Sequence, residues 1–161
     1  MKKITAILFV LGALVWCSCE FSAGKKKDFN TGLSISNDGF TVEDSYLVGP
    51  DNTTKADNKV PLNSTVAIVL EGIGNYELKD GKAYPGLMLT VTDAAGNAVL
   101  DEPDLLANSD GFSPADAAVL RGTVTVGNPM RSGETYHVKM RVWDKNKFEN
   151  EIIAEVDIDV Q

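Results

Sequence analysis

Apolar and polar residues alternate with a period of two along most of the chain from Leu33 onward, the pattern of strands that bury one face. Tyr136, Val138, Met140 and Val142 fall on one parity, and Thr135, His137, Lys139, Arg141 and Trp143 on the other. The following run sets Ile152, Ala154, Val156, Ile158 and Val160 against Ile153, Glu155, Asp157 and Asp159, and the polar stretch from Asp144 to Asn150 suits a hairpin connection between the two. With both apolar sets inward, odd residues must oppose odd residues. Lys139 and Arg141 then meet Ile153, Glu155 or Asp157 across the strands, so opposite charges share the outer face.

Shorter runs repeat the pattern. Leu62, Ser64, Val66, Ile68 and Leu70 alternate with Asn63, Thr65, Ala67 and Val69; Leu87, Leu89 and Val91 with Met88, Thr90 and Thr92; Val124 and Val126 with Thr123 and Thr125. Leu33 and Ile35, then Phe40 and Val42, flank an Asn37-Asp38-Gly39 turn, and Asp80-Gly81 marks a second tight turn. One helical turn is expected at Ser113 to Leu120, where Ser113 caps, Pro114 takes the first helical position and Asp116 complements the N-terminal dipole.

About eight strands, seven to nine, with one short helical crossover predict an all-β protein: an immunoglobulin-like antiparallel β-sandwich over residues 31–161. A small closed barrel is the alternative architecture. The predicted core comprises Ile35, Val66, Ile68, Leu89, Val91, Val124, Val138, Met140, Val142, Val156 and Ile158.

The first residues follow a different rule. Met1-Lys2-Lys3 is a positive start, and Ile4 to Val15 is an apolar run shorter than the ~20 residues a spanning helix needs. This segment, with Trp16-Cys17-Ser18-Cys19 after it, resembles a bacterial lipoprotein signal. On that likeness residues 1–18 are removed and Cys19, preceded by the small Ser18, is acylated; Trp16 departs from the Leu usual in such signals. The alternative is a plain secretory signal with incidental cysteines. Residues 19–30 read as a lipidated N-terminus and flexible tether, because Glu20 to Asn30 shows neither period. Lys25-Lys26-Lys27 within it suits either anionic headgroups or open solvent.

Two stretches carry a further likeness. LMLTVTDAAGNAVL (Leu87 to Leu100) resembles the strand-turn-strand of bacterial immunoglobulin-like repeats, with Asp93 and Gly96-Asn97 at the turn. Ser132 to Val160 is similar to the last hairpin of immunoglobulin-like and cadherin-like domains. With the leader, the chain resembles the small immunoglobulin-like cell-envelope lipoproteins of the Bacteroidota type. That likeness implies anchoring to the outer membrane through acyl chains, on the periplasmic or the surface side, and no particular ligand or activity.

Composition narrows the chemistry. The 161 residues carry 15 Lys+Arg against 23 Asp+Glu, a net charge of −8, which becomes −10 once Lys2 and Lys3 leave with the leader. That balance disfavours a nucleic-acid partner. Two cysteines and one histidine argue against thiol-rich metal sites and disulfide scaffolds. His137 lies in mid-strand without a nucleophile elbow, so a surface pairing with Asp157 or Asp159 is expected of it. Asp101, Glu102, Asp104, Asp110 and Asp116 crowd one connection and read as solvated loop acids. The alternative is a small carboxylate-dependent hydrolase, which needs a cleft to fix their separation.

Calcium is a second alternative, an adhesion-type module with Asp93, Asn97, Asp144 and Asn146 as ligands if their turns share one end. The EF-hand likeness at Leu106 to Ala117 fails, because both its first and its twelfth position lack a carboxylate. No catalytic residue, metal or cofactor is therefore assigned. The expected role is a non-catalytic module that binds a glycan or an envelope protein, or serves as a structural accessory. Trp143, Lys145 and Phe148 are its candidate contacts, an aromatic pair ringed by polar residues. The alternative reading packs Trp143 beneath the loop that bears Phe148. Tyr84 and Phe112 occupy turns that plug an end of the sandwich or serve the same contacts.

Overall fold

The computed structural model describes residues 23–161; the expected leader and Cys19 lie outside the described residues. Ten strands and one helical turn follow in chain order: β1 Ala23–Lys27, β2 Ser34–Asp38, β3 Asp44–Val48, β4 Lys59–Val60, β5 Ser64–Glu71, β6 Pro85–Thr92, β7 Ala98–Glu102, α1 Pro114–Ala117, β8 Val119–Val126, β9 Thr135–Asp144 and β10 Glu151–Val160. They form two sheets. One has the order β1-β2-β10-β9-β6-β7, with β4 adding a two-residue parallel pair to β10; the other is β3-β5-β8. All remaining pairs are antiparallel, so the fold is the expected β-sandwich.

Parity along each strand decides which side chains form the core. In β9 and β10 the even residues from Tyr136 to Val142 and from Ile152 to Val160 are buried, and all eleven predicted core residues are buried with them. Facing them from the smaller sheet are Leu47, Val66, Ile68, Leu70, Leu120, Val124 and Val126. Across β9 and β10, Lys139 opposes Glu155, Arg141 opposes Ile153 and His137 opposes Asp157. Lys139 reaches Glu155 at 3.2 Å. Gly122 in β8 makes room for this core, since a Cβ there would stand 2.9 Å from the Met140 sulfur.

The helical turn lies between β7 and β8, where the chain passes from one sheet to the other. Ser113 caps it as expected: its hydroxyl oxygen accepts from the Asp116 amide at 3.1 Å and its O–H donates to the Asp116 carboxylate at 2.7 Å. The Asp93 turn is also built as expected. Asp93 Oδ1 accepts from the amides of Ala95 and Asn97, and Gly96 takes a positive φ of 83°.

Ten strands exceed the expected seven to nine, and three of them lie where alternation gives no guide. The stretch expected to be tether contributes β1, paired with β2 from Ala23↔Asp38 to Lys27↔Ser34, so the sheet begins at residue 23 and not at 31. Its backbone pairs like any strand, but residues 24–27 are all exposed. Two-residue β4 is too short to alternate. In β3 the two buried residues, Leu47 and Val48, are adjacent and serve opposite faces. Val48 joins Ala67, Val69 and the half-buried Tyr46 in a second, smaller cluster outside the β3-β5-β8 sheet. Over that sheet's outer face the loop after β3 folds back, held by the Val48↔Thr54 bridge and by Arg121 donating to Asn52 Oδ1 at 2.6 Å.

Candidate functional site

The turn between β9 and β10 carries the three candidate contact residues, and the structure uses each differently. Lys145 is committed to the fold. Its ammonium sits 2.8 Å from the Asp104 carboxylate and donates to the Leu106 carbonyl at 2.9 Å, while its amide donates to the Tyr84 carbonyl. Trp143 lies on the outer face, half-buried, opposite Glu151 on one side and Gly86 on the other. A Cβ on Gly86 would stand 2.1 Å from an indole carbon, so the ring lies across the bare glycine backbone. The Arg141 guanidinium carbon is 5.0 Å from the ring centroid, and Arg141 also binds Glu151. Only Phe148 projects freely, at 68% exposure.

Beneath this turn is a residue that the sequence reading placed among calcium ligands. Asp144 is fully buried. Its Oδ2 accepts from the Glu77 amide at 2.6 Å and its Oδ1 from the Asn146 amide at 2.9 Å. Asn146 and Asn150 complete the tie by donating to the carbonyls of Glu77 and Asn75 at 2.9 and 2.7 Å. Burial and the Asp144 charge together push the Tyr76 phenol above its ordinary range; its hydroxyl donates to the Ala117 carbonyl. The even parity of Asp144, which continues the inward set of β9, was the signal for its burial.

The calcium quartet does not assemble. Pro85 pairs with Asp144 and Thr92 with His137, so the turn with Asp93 and Asn97 and the turn with Asp144 and Asn146 occupy opposite ends of β6, about 25 Å apart at strand rise. Asp93 instead binds Asn97, and among the described residues no three His, Cys, Asp or Glu side chains cluster as a metal site.

The five acids of this connection do not converge on one cleft either: Asp101 and Glu102 are exposed within β7, and Glu102 alone of the five lines the groove beside it. Asp104 accepts from the amides of Leu87 and Leu106 at 3.1 and 2.9 Å, besides pairing with Lys145. Burial works to raise its pKa, but Lys145 and the two amides outweigh that and hold the carboxyl below its usual value. Asp116 belongs to the helix cap. His137 pairs with Asp157 at 2.8 Å, the surface partnership expected of it. Tyr84 packs beside Gly111, where a Cβ would lie 2.8 Å from its ring, and the Ala83↔Phe112 bridge ties the two turns together.

A feature without a sequence signature lies on the open flank of the sandwich. Seven strands face three, so β8 ends the smaller sheet while β6 and β7 continue beyond it. The seam between β7 and β8 is a groove of about 340 Å³, its apolar lining of Leu89, Val99, Leu100, Leu105 and Met130 interrupted by Glu102, Thr123, Thr125 and Asn128. Leu105 is 47% exposed there. Among the described residues β8 pairs only with β5, so the amides and carbonyls on its other side form a free edge along this eight-residue strand. These wall residues come from three separate segments, and only the pairing of the strands gathers them.

No family model matches this chain, and no curated protein does. Among the described residues no helix is long and apolar enough to cross a membrane.

Proposed function

We propose that this is a non-catalytic, lipid-anchored envelope module that binds an extended polypeptide segment along β8. In this reading Cys19 carries the acyl chains and the sandwich presents its open flank to a protein partner. The observation that carries it is the edge of β8, free among the described residues, beside a groove with both apolar and polar walls. An added strand gains main-chain hydrogen bonds from the edge and seats alternate side chains in the groove. A glycan partner has less to use, because the indole of Trp143, which would have to stack on a sugar, is already engaged with Gly86 and Arg141. A hydrolase would need free convergent carboxylates, and Asp104 and Asp116 are bound within the fold. The likeness to Bacteroidota envelope lipoproteins agrees with this role.

The test combines anchoring with contact. Cys19→Ala should move the protein from the membrane to the soluble fraction and abolish fatty-acid labelling; labelled membrane protein in that variant would refute the anchor. A photoreactive residue at Val99 or Thr125 should cross-link one discrete partner in intact envelopes, and one at Phe148 should not. Cross-linking at Phe148 alone would transfer the contact to the β9-β10 turn.

A further inference from the structure

The opposite edge of the large sheet has a chemistry unlike the rest of this acidic chain. β1 presents Lys25, Lys26 and Lys27 in succession, all exposed. Lys26, paired with Ile35, reaches Asp44 at 3.2 Å. Lys25 and Lys27, on the other parity, have no ion-pair partner among the described residues. With Ser34, Ser36, Ile153 and Glu155 they line an open groove of about 350 Å³. The hydroxyls of Ser34 and Ser36 are likewise without hydrogen bonds among the described residues, and Glu155 is taken up by Lys139. Two free ammonium groups and two free hydroxyls around an apolar floor suit a phosphate carried on a hydrocarbon body.

At the tip of the same hairpin stands Phe29, 90% exposed, more than any other large apolar side chain described. Its turn is built and not slack. Asp28 accepts from the Asn30 amide at 2.9 Å and the Thr31 hydroxyl at 2.7 Å, contacts that lower its pKa, and the Thr31 oxygen accepts from the Leu33 amide. An aromatic ring held out from a tied turn, next to unpaired lysines, is placed as a bilayer-interface anchor is. Cys19 stands four residues before Ala23, and four residues of chain span at most about 14 Å.

We propose that the β1 edge is a membrane-seating surface, in which Lys25 and Lys27 bind the phosphates of an anionic bilayer and Phe29 inserts among the headgroups. The proposal deepens the anchored reading of Cys19 and rests on it for bringing this edge to the bilayer. It also gives the domain an orientation: β1 toward the membrane, and the β7-β8 seam at the far side of the sheet.

The test uses unlipidated chain from Glu20 to Gln161, which carries every described strand and both hydrophobic clusters, so its outcome is separate from that of Cys19→Ala. It should co-sediment with vesicles of phosphatidylglycerol and phosphatidylethanolamine and not with pure phosphatidylcholine, and binding should fall as salt rises. Lys25→Gln and Lys27→Gln should each weaken binding about fivefold, and Phe29→Ser about tenfold. The control Lys79→Gln with Lys82→Gln removes two charges from other exposed residues, twice what either single variant removes, and should leave binding intact. Phe29→Trp should show blue-shifted emission on anionic vesicles alone. Equal binding to neutral vesicles, equal loss in the control, or displacement by millimolar inorganic phosphate would overturn the proposal, the last by identifying a soluble-anion site.

Discussion

The β9-β10 and β1-β2 hairpins belong to one sheet and differ in where they sit. The first occupies its middle, with every even residue of both strands buried, and its register follows from parity. The second forms an edge, and its outer strand contributes Gly24 and Lys26 on the parity that would face the core. Alternation is thus a record of side-chain burial, whereas pairing is made by the backbone. A strand that pairs without burying leaves no period. The lysines that hid β1 also have a structural use: a charged residue on the inward parity of an edge, here Lys26 held by Asp44, discourages further strands from adding there. β8 carries one charged residue, Arg121, on its outward parity and held by Asn52, so no charge guards its inward parity, and that contrast supports it as the receptive edge.

Substitutions that test this contrast span a wide range. The largest effect belongs to Met140→Asp in the middle of β9, which buries an unpaired carboxylate and should cost about 4 kcal/mol or more, enough to abolish a cooperative thermal transition. Next is Asp144→Ala, expected to lose about 3 kcal/mol in denaturant titration, because the Glu77 and Asn146 amides lose their buried acceptor. Faster hydrogen exchange at the Glu77 amide would locate that loss.

Gly86→Ala should cost about 1–3 kcal/mol by driving a methyl group into the Trp143 ring. Combined with Trp143→Ala the cost should largely vanish, giving a coupling of about 1 kcal/mol or more in a double-mutant cycle. A Gly86→Ala variant as stable as the parent would show instead that the indole is free to move away, which would restore it as a stacking platform.

Asp104→Asn should lose about 1–2 kcal/mol at neutral pH. Because the folded carboxyl has a lowered pKa, its stabilisation is present above the unfolded value near 4 and disappears as pH falls through the folded one. The gap between parent and variant in chemical unfolding should therefore close in acid. The smallest change is Lys26→Ala at the edge, within about 0.5 kcal/mol, since both members of its ion pair are exposed.

What could be read from the residues follows the same division. The sandwich, its core, the capped turn at Ser113 and the His137 partnership were legible because each is written in local spacing. The candidate contacts were legible only as exposed parity: the position of Trp143 on the outer face followed from its odd number, but not the bare glycine beneath it on another strand. Lys145 looked free because its partners, Asp104 and Leu106, are about forty residues away. The β7-β8 groove depends on the unequal size of the two sheets, which no stretch of sequence records.

The strand order β1-β2-β10-β9-β6-β7 also has a mechanical side. Tension applied between the N-terminal side of β1 and the β7 flank runs across the strands, so it opens hydrogen-bonded pairs one after another instead of shearing a whole ladder at once. The five-residue β1-β2 ladder, whose outer member is exposed from residue 24 to 27, would yield first. Peeling it would add a short length of slack and leave the ten-residue β9-β10 pair intact, so the edge strand would act as a fuse that protects the core from a pull.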